Sequence, residues 1–529
     1  MTAPGKPATG AAVPHRHRWW ILATLCLSVL LVAIDNTIVN VALPTLNRRL
    51  GANTSDLQWV VDIYTVCFAG LLLFFGHLGD RFGRKRVLQV GLLLFALASF
   101  WAARSGSVGE LIAARAAMGF AVAFVYPSTL AMLTGVFTDR QEKAVAVGVW
   151  SGVSGLAVAL GPVAGGVLLE HFWWGSIFMV NLPVVAAALL LGAVLLPESR
   201  DPVPGRFDGL GGLLSIALVG LLIWTVIEAP GHGWTSGRSL AGFGGSAVLL
   251  AVFCWWEGRR TDPLLDIRFF RNPRFSAGSA AISMAFFGLY GFIFMITMYF
   301  QLVRGYSTLR AGAATLPFAA VMGILSPLAI VIMKKTGTKL VVTAGMLLMM
   351  AGFLVAAKAT LEADYWRVVV VSMCLMAAGM ALSSGPATDA ILASLPGSKA
   401  GVGSAVNDTT RELGGALGVA VVGSVLSWSF SSRLATLWTD LHVPPAMVKA
   451  GQSSLGSALT VSQQEQAPAA VEHAARTSFM TGLHAGSAAT AGAALLAAVV
   501  AFAFLPARDK AAPRPPRQPS SADDLVKVD

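Results

Sequence analysis

The sequence predicts an all-α polytopic membrane protein of about fourteen spanning helices, grouped six, two and six. Three observations predict it. Apolar stretches of about 20 residues, the length that crosses a bilayer core, recur along nearly the whole chain. Of the 529 residues, 55% are hydrophobic and only 12% charged, with a mean hydropathy of +0.69; an ordinary soluble domain carries roughly 25% charged residues. Lysine and arginine collect in short segments between the stretches, at 81–86, Arg140 and Lys143, Arg200 and Arg206, 259–274, 334–339 and Lys399. These segments alternate with less basic ones, so they mark the cytoplasmic side and place both termini there. The formal net charge of +11 is therefore topological. No soluble basic domain is present to carry a nucleic-acid surface.

The first span, residues 19–43, follows His15-Arg16-His17-Arg18 and has no cleavage site, so it reads as retained. Deep within it stand Asp35, Asn36, Thr37 and Asn40. Such groups are tolerated in a hydrophobic span where they face a cavity or find partners. Either an interhelical hydrogen-bond cluster or a proton or cation site fits. The second span, 57–75, opens Gln58-Trp59-Val60-Val61-Asp62-Ile63-Tyr64. Trp59 and Tyr64 suit the outer interface. Asp62, about one turn inside, is either a carboxylate wetted by headgroups or a negative group at the outer mouth of a cavity. Between the second span and the third, 87–103, lies Gly76-His77-Leu78-Gly79-Asp80-Arg81-Phe82-Gly83-Arg84-Lys85-Arg86. Its glycines let two helix ends turn and pack closely. Asp80 can pair with the cations around it or with a neighbouring helix end. The fourth span, 110–136, carries Arg115, which should face the bundle interior and pair with a carboxylate or backbone oxygens. The fifth, 144–168, holds Gly155 and then Gly161-Pro162-Val163-Ala164-Gly165-Gly166. Small residues there permit close helix contact, and the proline bends the helix. The sixth is 176–196.

A polar, proline-rich stretch at 197–205 sets off the seventh and eighth spans, 209–227 and 240–256, and an arginine-rich segment at 257–274 follows them. The expected organisation is a cytoplasmic tail 1–18, a six-helix bundle 19–196, a linker with two inserted helices 197–274, a second six-helix bundle 275–506 and a disordered cytoplasmic tail 507–529. The ninth span, 277–302, is rich in methionine and aromatic residues, among them Met284, Phe286, Phe287 and Tyr290. A subset facing inward would make a greasy, adaptable pocket for flat apolar cations. The tenth to twelfth spans are 311–333, 340–361 and 368–392, with Asp389 near the inner end of the last. The thirteenth, 401–428, contains Asn407-Asp408-Thr409-Thr410-Arg411-Glu412. Asp408 and Glu412 share a helix face, and Arg411 can neutralise Asp408. Either a local ion pair or a cavity-facing carboxylate pair results. An external loop at 429–478, with 462–476 able to form a short surface helix, precedes the fourteenth span, 481–505. Cys26, Cys67, Cys254 and Cys374 all fall inside apolar runs and read as small hydrophobes, not as a disulfide framework or metal cluster.

Read as G-x-L-x-D-R-x-G-R-K-R, the loop 76–86 resembles the signature of the major facilitator superfamily of secondary transporters. The string from Ala33 to Pro44 resembles the first-helix signature of that family's fourteen-helix drug:proton antiporter branch. Arg115-Ala116-Ala117-Met118-Gly119 is similar to its R-x-x-Q-G motif, with Met118 where glutamine is usual, so one hydrogen-bonding side chain is absent. The Gly-Pro motif in the fifth span resembles the antiporter signature, which is associated with exporters. Asp62 followed by Ile63-Tyr64 is similar to the quaternary-ammonium exporters of the branch. Trp174-Gly175-Ser176-Ile177-Phe178-Met179-Val180-Asn181-Leu182-Pro183, Phe207-Asp208-Gly209 and Pro263-Leu264-Leu265-Asp266 also match, so the resemblance runs from the first span through the thirteenth.

The resemblance implies a major facilitator fold with two six-helix halves related about the membrane normal. It implies a proton-coupled antiporter that exports hydrophobic, cationic drugs or antibiotics across the plasma membrane by alternating access. Asp35, Arg115, Asp62, Asp408 and Glu412 would serve proton coupling and substrate. Gly76, Asp80, Arg81, Gly83 and Arg84 would form a cytoplasmic latch, and Gly155, Gly161, Pro162, Gly165 and Gly166 the antiporter motif. The expected partners are small-molecule drugs, protons and the lipid bilayer, with no nucleic acid, and the chain would act as a monomer. No G-x-x-x-x-G-K-[ST] loop is present, so direct ATP use is not expected; neither an enzyme activity nor a cofactor or metal is expected. Two rivals remain at this point: a dedicated self-resistance exporter for one endogenous natural product, and an uncoupled transporter-like sensor or lipid-handling protein.

Overall fold

A computed structural model describes residues 15–137, 139–199, 208–260, 263–395 and 400–507. It is built of helices. In chain order they are α1 (His15–Leu50), α2 (Thr54–Phe82), α3 (Arg84–Ala103), α4 (Val108–Val136), α5 (Arg140–His171), α6 (Ser176–Met179), α7 (Asn181–Leu195), α8 (Gly209–His232) and α9 (Gly237–Arg259). Then follow α10 (Pro273–Met298), α11 (Thr308–Ala313), α12 (Leu316–Thr336), α13 (Thr338–Ala356), α14 (Val371–Ala393), α15 (Ala400–Asp440), α16 (Pro445–Gly451), α17 (Leu455–Gln464) and α18 (Ala469–Phe504). Among the described residues, twelve helical stretches are long and apolar enough to cross a membrane, α6 with α7 and α11 with α12 each counting as one. Beyond those twelve stand α2, of 29 residues, and α5, of 32.

The helix starts follow local rules. Asn53 and Asp56 form a reciprocal capping box at α2, Ser107 caps α4 and Ser236 caps α9, and Pro273 occupies the first turn of α10. Burying these apolar helices requires neighbours. Helices α1 to α7 pack among themselves, mainly α1 on α5, α2 on α4 and α3 on α4. Helices α10 to α18 form a second set, led by α13 on α14, α10 on α15 and α18 on both α13 and α15. Helix α8 lies on α9 and also contacts α2 and α15, one from each set.

A backbone repeat relates the two sets that the sequence does not display. Gly83 joins α2 to α3 at φ 105° and Gly337 joins α12 to α13 at φ 93°. At that φ a side chain is strained, so glycine permits helix to follow helix without a loop. Just after these glycines, Arg84 N–H donates to Ser199 O at 2.8 Å and Lys339 N–H to Pro506 O at 3.2 Å. Each junction is thus tied to the chain just beyond its own set's last long helix.

The region expected as an external loop is mostly helix. α15 continues to Asp440 and α18 begins at Ala469, leaving only α16 and α17 between them. The surface helix expected over 462–476 is not formed as one piece. α17 ends at Gln464, Gln466 turns at φ 48°, and the remainder belongs to α18, because Pro468 cannot continue the preceding helix. Most of the tails expected at 1–18 and 507–529 lies outside the described residues.

Candidate functional site

A group of buried polar side chains is drawn from α1, α2, α4, α7, α10 and α15. Asp35 of α1 and Arg115 of α4 are both fully buried. Arg115 Nη1 donates to Asp35 Oδ2 at 2.7 Å and Nε to the Val60 carbonyl at 3.0 Å. The guanidinium lies 4.2 Å from the ring centroid of Tyr64, a cation–π contact. Asn181, the first residue of α7, donates to Asp35 Oδ1 at 2.7 Å and to Ser99 Oγ of α3 at 3.1 Å. Helix α4 approaches α2 closely enough for this because residue 119 is glycine; a Cβ there would overlap the Tyr64 carbonyl.

Next to Asp35 on α1, Asn36 Nδ2 donates to the Tyr290 hydroxyl of α10 at 2.8 Å, joining the two sets. Aromatic rings surround the junction. Tyr126 of α4 meets Trp150 of α5 at 5.3 Å and Phe68 of α2 at 5.6 Å, both edge-on, and Phe286 lies one turn from Tyr290. On α15, Asp408 and Arg411 pair at 3.5 Å, Asn407 donates to Asp408 at 3.4 Å, and the Arg411 guanidinium sits 4.6 Å from the Phe286 centroid. Glu412 lies close enough to Tyr64 and Tyr290 for its charge to act on both, and Arg411 similarly on Tyr126. Asn36 Oδ1, Tyr64 Oη, Arg115 Nη2 and Glu412 Oε2 are buried without a hydrogen-bond partner among the described residues. Buried polar atoms require one, so these atoms are poised to hold water or a polar ligand group.

The structure therefore brings Asp35 and Arg115 together, which lie far apart in sequence, and sets Glu412 near the same aromatic groups. It also realises the local Asp408–Arg411 pair. Two expectations are corrected. Tyr64 is not an outer-interface residue; it is fully buried beneath Arg115. Asp62 is not wetted by headgroups, being fully buried with both carboxylate oxygens unpartnered among the described residues. Its helical neighbours at i−4 and i+4 fix its face. Gln58 bonds the Ala420 carbonyl of α15 at 2.9 Å, and Val66 packs with Val219 and Ile223 of α8 and Ala416 and Ala420 of α15. Asp62 thus faces α8 and α15, while Val60 and Tyr64 face Arg115. Trp59 is half-buried on the same side as α8.

The glycine motif of α5 lies against two neighbours, α1 and α11. Gly161 lies against Thr37 and Gly165 against Ile38 of α1, Gly166 lies against Leu309 of α11, and Pro162 lies against Gly312. Thr308 Oγ1 donates to the Gly166 carbonyl at 3.2 Å. The side-chain surroundings of Gly155, Gly76 and Asp80 lie outside the described residues. The stretch expected as a loop is helix on either side of Gly83; in the first turn of α3, Arg84 Nη1 bonds the Ala131 carbonyl at 3.3 Å and Ser199 Oγ at 3.4 Å, and Arg86 meets Glu198 at 3.5 Å. Arg81 is exposed.

Asn181, Ser99, Tyr126 and Trp150 were not singled out by the sequence. An asparagine inside an apolar run was the available signal for the first; nothing distinguishes the others from packing residues.

The whole site lies inside the match to a family model. Residues 25–419 match the model described as Major Facilitator Superfamily. The chain is 36% identical to the multidrug efflux pump LfrA of Mycolicibacterium smegmatis, covering 94% of this chain and 98% of that one. It is 33% identical to the methyl viologen resistance protein SmvA of Salmonella typhimurium, covering 92% and 98%. It is 32% identical to the tetracenomycin C resistance and export protein of Streptomyces glaucescens, covering 83% and 81%. In fold it is similar to a bacterial homologue of the lysosomal transporter Spinster in an inward-facing, unoccupied conformation, with a TM-score of 0.65 at 16% identity over 93% and 98% of the two chains.

Proposed function

The chain belongs to the Major Facilitator Superfamily, and from that premise we propose that it exports hydrophobic cationic drugs in exchange for protons. It is a transporter and not an enzyme, and its relatives are multidrug and antibiotic efflux pumps. The observation that carries the finer reading is the fully buried Asp35–Arg115 pair beside aromatic rings drawn from both helix sets. Methyl viologen, named in one relative, is a flat organic dication of the kind such rings and carboxylates suit. The proposed topology has fourteen spans, the twelve apolar helices together with α2 and α5, with bundles at 19–196 and 275–506 and both termini in the cytoplasm. The proposed location is the plasma membrane, the energy source the proton gradient, and the working unit a monomer without cofactor.

In this reading the end of the bundle away from the chain termini faces outward. It is closed in the present state by contacts between the two sets. Gln301 donates to the Val41 carbonyl at 2.9 Å, Gln58 to the Ala420 carbonyl, and Glu170 accepts from Ser307 Oγ at 3.1 Å and Leu309 N at 3.3 Å. A proton arriving at Asp35 cancels the charge that balances Arg115. Removing one partner of a buried pair costs about 3–5 kcal/mol, enough to shift a two-state equilibrium by roughly a hundredfold or more. Relief by rearrangement of α1 against α4 would couple proton entry to the exchange of access. Glu412, outside the Asp408–Arg411 pair, is the negative group proposed to meet a cationic drug. Arg84 would set the α2–α3 junction against α4 during that change, with Asp80, Arg81, Gly76 and Gly83 completing the latch. Gly155 with Gly161, Pro162, Gly165 and Gly166 would let α5 stay close to α1 and α11. Asp62, facing α8 and α15, is proposed to respond to protons and not to touch cargo.

The test is reconstitution. Proteoliposomes with an imposed pH gradient should move a fluorescent cation against its gradient and release protons stoichiometrically. Drug movement without proton movement would remove the antiport reading. The relative that exports tetracenomycin C supports one alternative, a dedicated exporter of a natural product; it predicts resistance to a single compound and none to unrelated cations.

A further inference from the structure

Each oxygen of the Asp35 carboxylate receives one N–H, Oδ2 from Arg115 and Oδ1 from Asn181, both at 2.7 Å. An ionised carboxylate only accepts; a protonated one must also donate. The guanidinium is donor-only and cannot be turned into an acceptor, so Oδ2 stays unavailable to a proton while Arg115 remains in place. A proton on Oδ1 would point at the Asn181 amide nitrogen, donor against donor. Of the two groups bonded to Asp35 among the described residues, Asn181 is the one with a remedy. Its amide carries a donor and an acceptor on one planar group, and half a turn about its last side-chain bond presents the carbonyl oxygen instead. That turn also reverses what Ser99 meets. Ser99 Oγ now accepts from the same amide nitrogen at 3.1 Å, and a hydroxyl can equally donate to a carbonyl. Asp35, Asn181 and Ser99 are all buried to within about one per cent, so water does not compete for these bonds.

We propose that Asn181 and Ser99 form a two-state hydrogen-bond adaptor that follows the protonation of Asp35. Asn181 is a positioning residue in this scheme. It donates to the ionised carboxylate, accepts from the carboxylic acid, and keeps Oδ1 the oxygen that takes the proton. The inference rests on the reading of Asp35 as the proton site. The charged and titratable groups facing Asp35 are Arg115 from α4 and the Tyr64 hydroxyl from α2. Glu412 of α15 and Tyr290 of α10 act on Tyr64 from beyond.

The experiment needs no drug. Purified full-length protein in lipid nanodiscs, with carbon-13 at the asparagine side-chain carbonyls, is titrated with acid and followed by infrared difference spectroscopy. As the pH falls, a carboxylic-acid carbonyl band should appear. A labelled asparagine band should shift at the same midpoint. Asn181→Leu should abolish the asparagine shift and raise the carboxyl midpoint by about one pH unit, since the ionised form loses a charge-assisted donor. Ser99→Thr, which keeps the hydroxyl, should leave both signals as in the wild type. A carboxyl transition in the wild type with no asparagine change, or an unmoved midpoint in Asn181→Leu, overturns the adaptor. An acid-induced carboxyl band of undiminished intensity in Asp35→Asn, where only the contribution of other buried carboxyls such as Asp62 should remain, instead overturns the assignment of the proton to Asp35, and the adaptor with it.

Discussion

Asp35 and Arg115 can be separated by a double-mutant cycle whose sign is fixed by their burial. Asp35→Asn keeps the shape of the side chain but leaves the guanidinium fully buried with only the Val60 carbonyl and the Tyr64 face. Arg115→Gln does the converse, leaving the carboxylate with the Asn181 amide alone. Each single change should destabilise the folded protein by about 3–5 kcal/mol, the usual effect of orphaning one member of a buried pair. The double variant carries neither orphaned charge, so it should cost less than the sum, with a coupling of about 3 kcal/mol or more. Unfolding in mixed micelles, followed by tryptophan fluorescence, measures all four corners. Drug movement driven by an imposed pH gradient in vesicles measures coupling, and it should be lost in both singles and in the double, because stability returns without a titratable carboxylate. Additive destabilisation within about 0.5 kcal/mol would show that the two charges do not balance one another. Wild-type efflux in Asp35→Asn would remove it from the coupling step.

Glu412→Gln should reduce efflux of a dication more than that of a matched monocation, because attraction to a removed charge scales with cargo charge; equal losses in paired efflux assays would assign Glu412 to packing or protons. Gly456→Val should loosen α17 from α1, where Gly456 lies directly against Asn47 and where Asn47 Nδ2 donates to Ser454 Oγ at 2.9 Å. External thiol reagents should then label Leu455→Cys at least tenfold faster than in the unchanged background, one lost hydrogen bond being worth about 1 kcal/mol and the clash adding to it. Arg84→Ala should slow turnover severalfold with unchanged drug affinity by equilibrium binding, since its side chain bonds Ala131 and Ser199 at the α2–α3 junction, away from the proposed cargo groups. Asp208 gives a pH prediction. Burial works to raise its carboxyl, but the Gly211 N–H, the Trp256 indole and Arg260 outweigh burial and hold it below the usual carboxylate range. A depressed folded value means its stabilisation is present above the unfolded value of about 3.9 and is lost as pH falls through the folded one. Asp208→Asn should therefore lower thermal stability at neutral pH and flatten its decline in acid, as scanning calorimetry across pH would show.

Twelve of the expected spans were legible as apolar helices of membrane-crossing length, because length and hydropathy act locally, wherever a stretch's neighbours lie. Asp35, Arg115 and Glu412 were legible as well, since an ionisable group in an apolar helix stands out by chemistry alone. Their grouping was not. Asp35 pairs with an arginine three helices later and with Asn181 further still, and sequence spacing holds no record of such contacts. Tyr64 and Asp62 show a second limit of one-dimensional reading. They lie two residues apart on an α2 that packs against other helices on more than one side, and periodicity alone does not say which side meets α4 and which meets α8. The usual preference of tyrosine for the interface pointed Tyr64 outward, whereas the guanidinium of Arg115 holds it in the core. The length of α15 and α18 was hidden for a related reason. Beyond the apolar run their residues are polar and alanine-rich, which reads as loop until the two helices are seen to continue together, with Trp438 bonded to the Val471 carbonyl at 3.1 Å.

Helix α17 belongs to the second set yet rests on the first. Thr54 donates to the Ser453 carbonyl through both N–H and hydroxyl, at 3.2 and 3.0 Å, and Leu455 is buried at a pocket lined by Pro44, Leu57, Met298 and Phe430. In the proposed orientation this clasp sits on the extracellular face. An agent that stapled it shut would stop the cycle without entering the cell and without visiting the drug site. Such an inhibitor could not be pumped out, since it would never be cargo. Resistance to it would have to arise at Asn47, Thr54 or the turn before α17, positions where a change that loosens the agent also loosens the clasp.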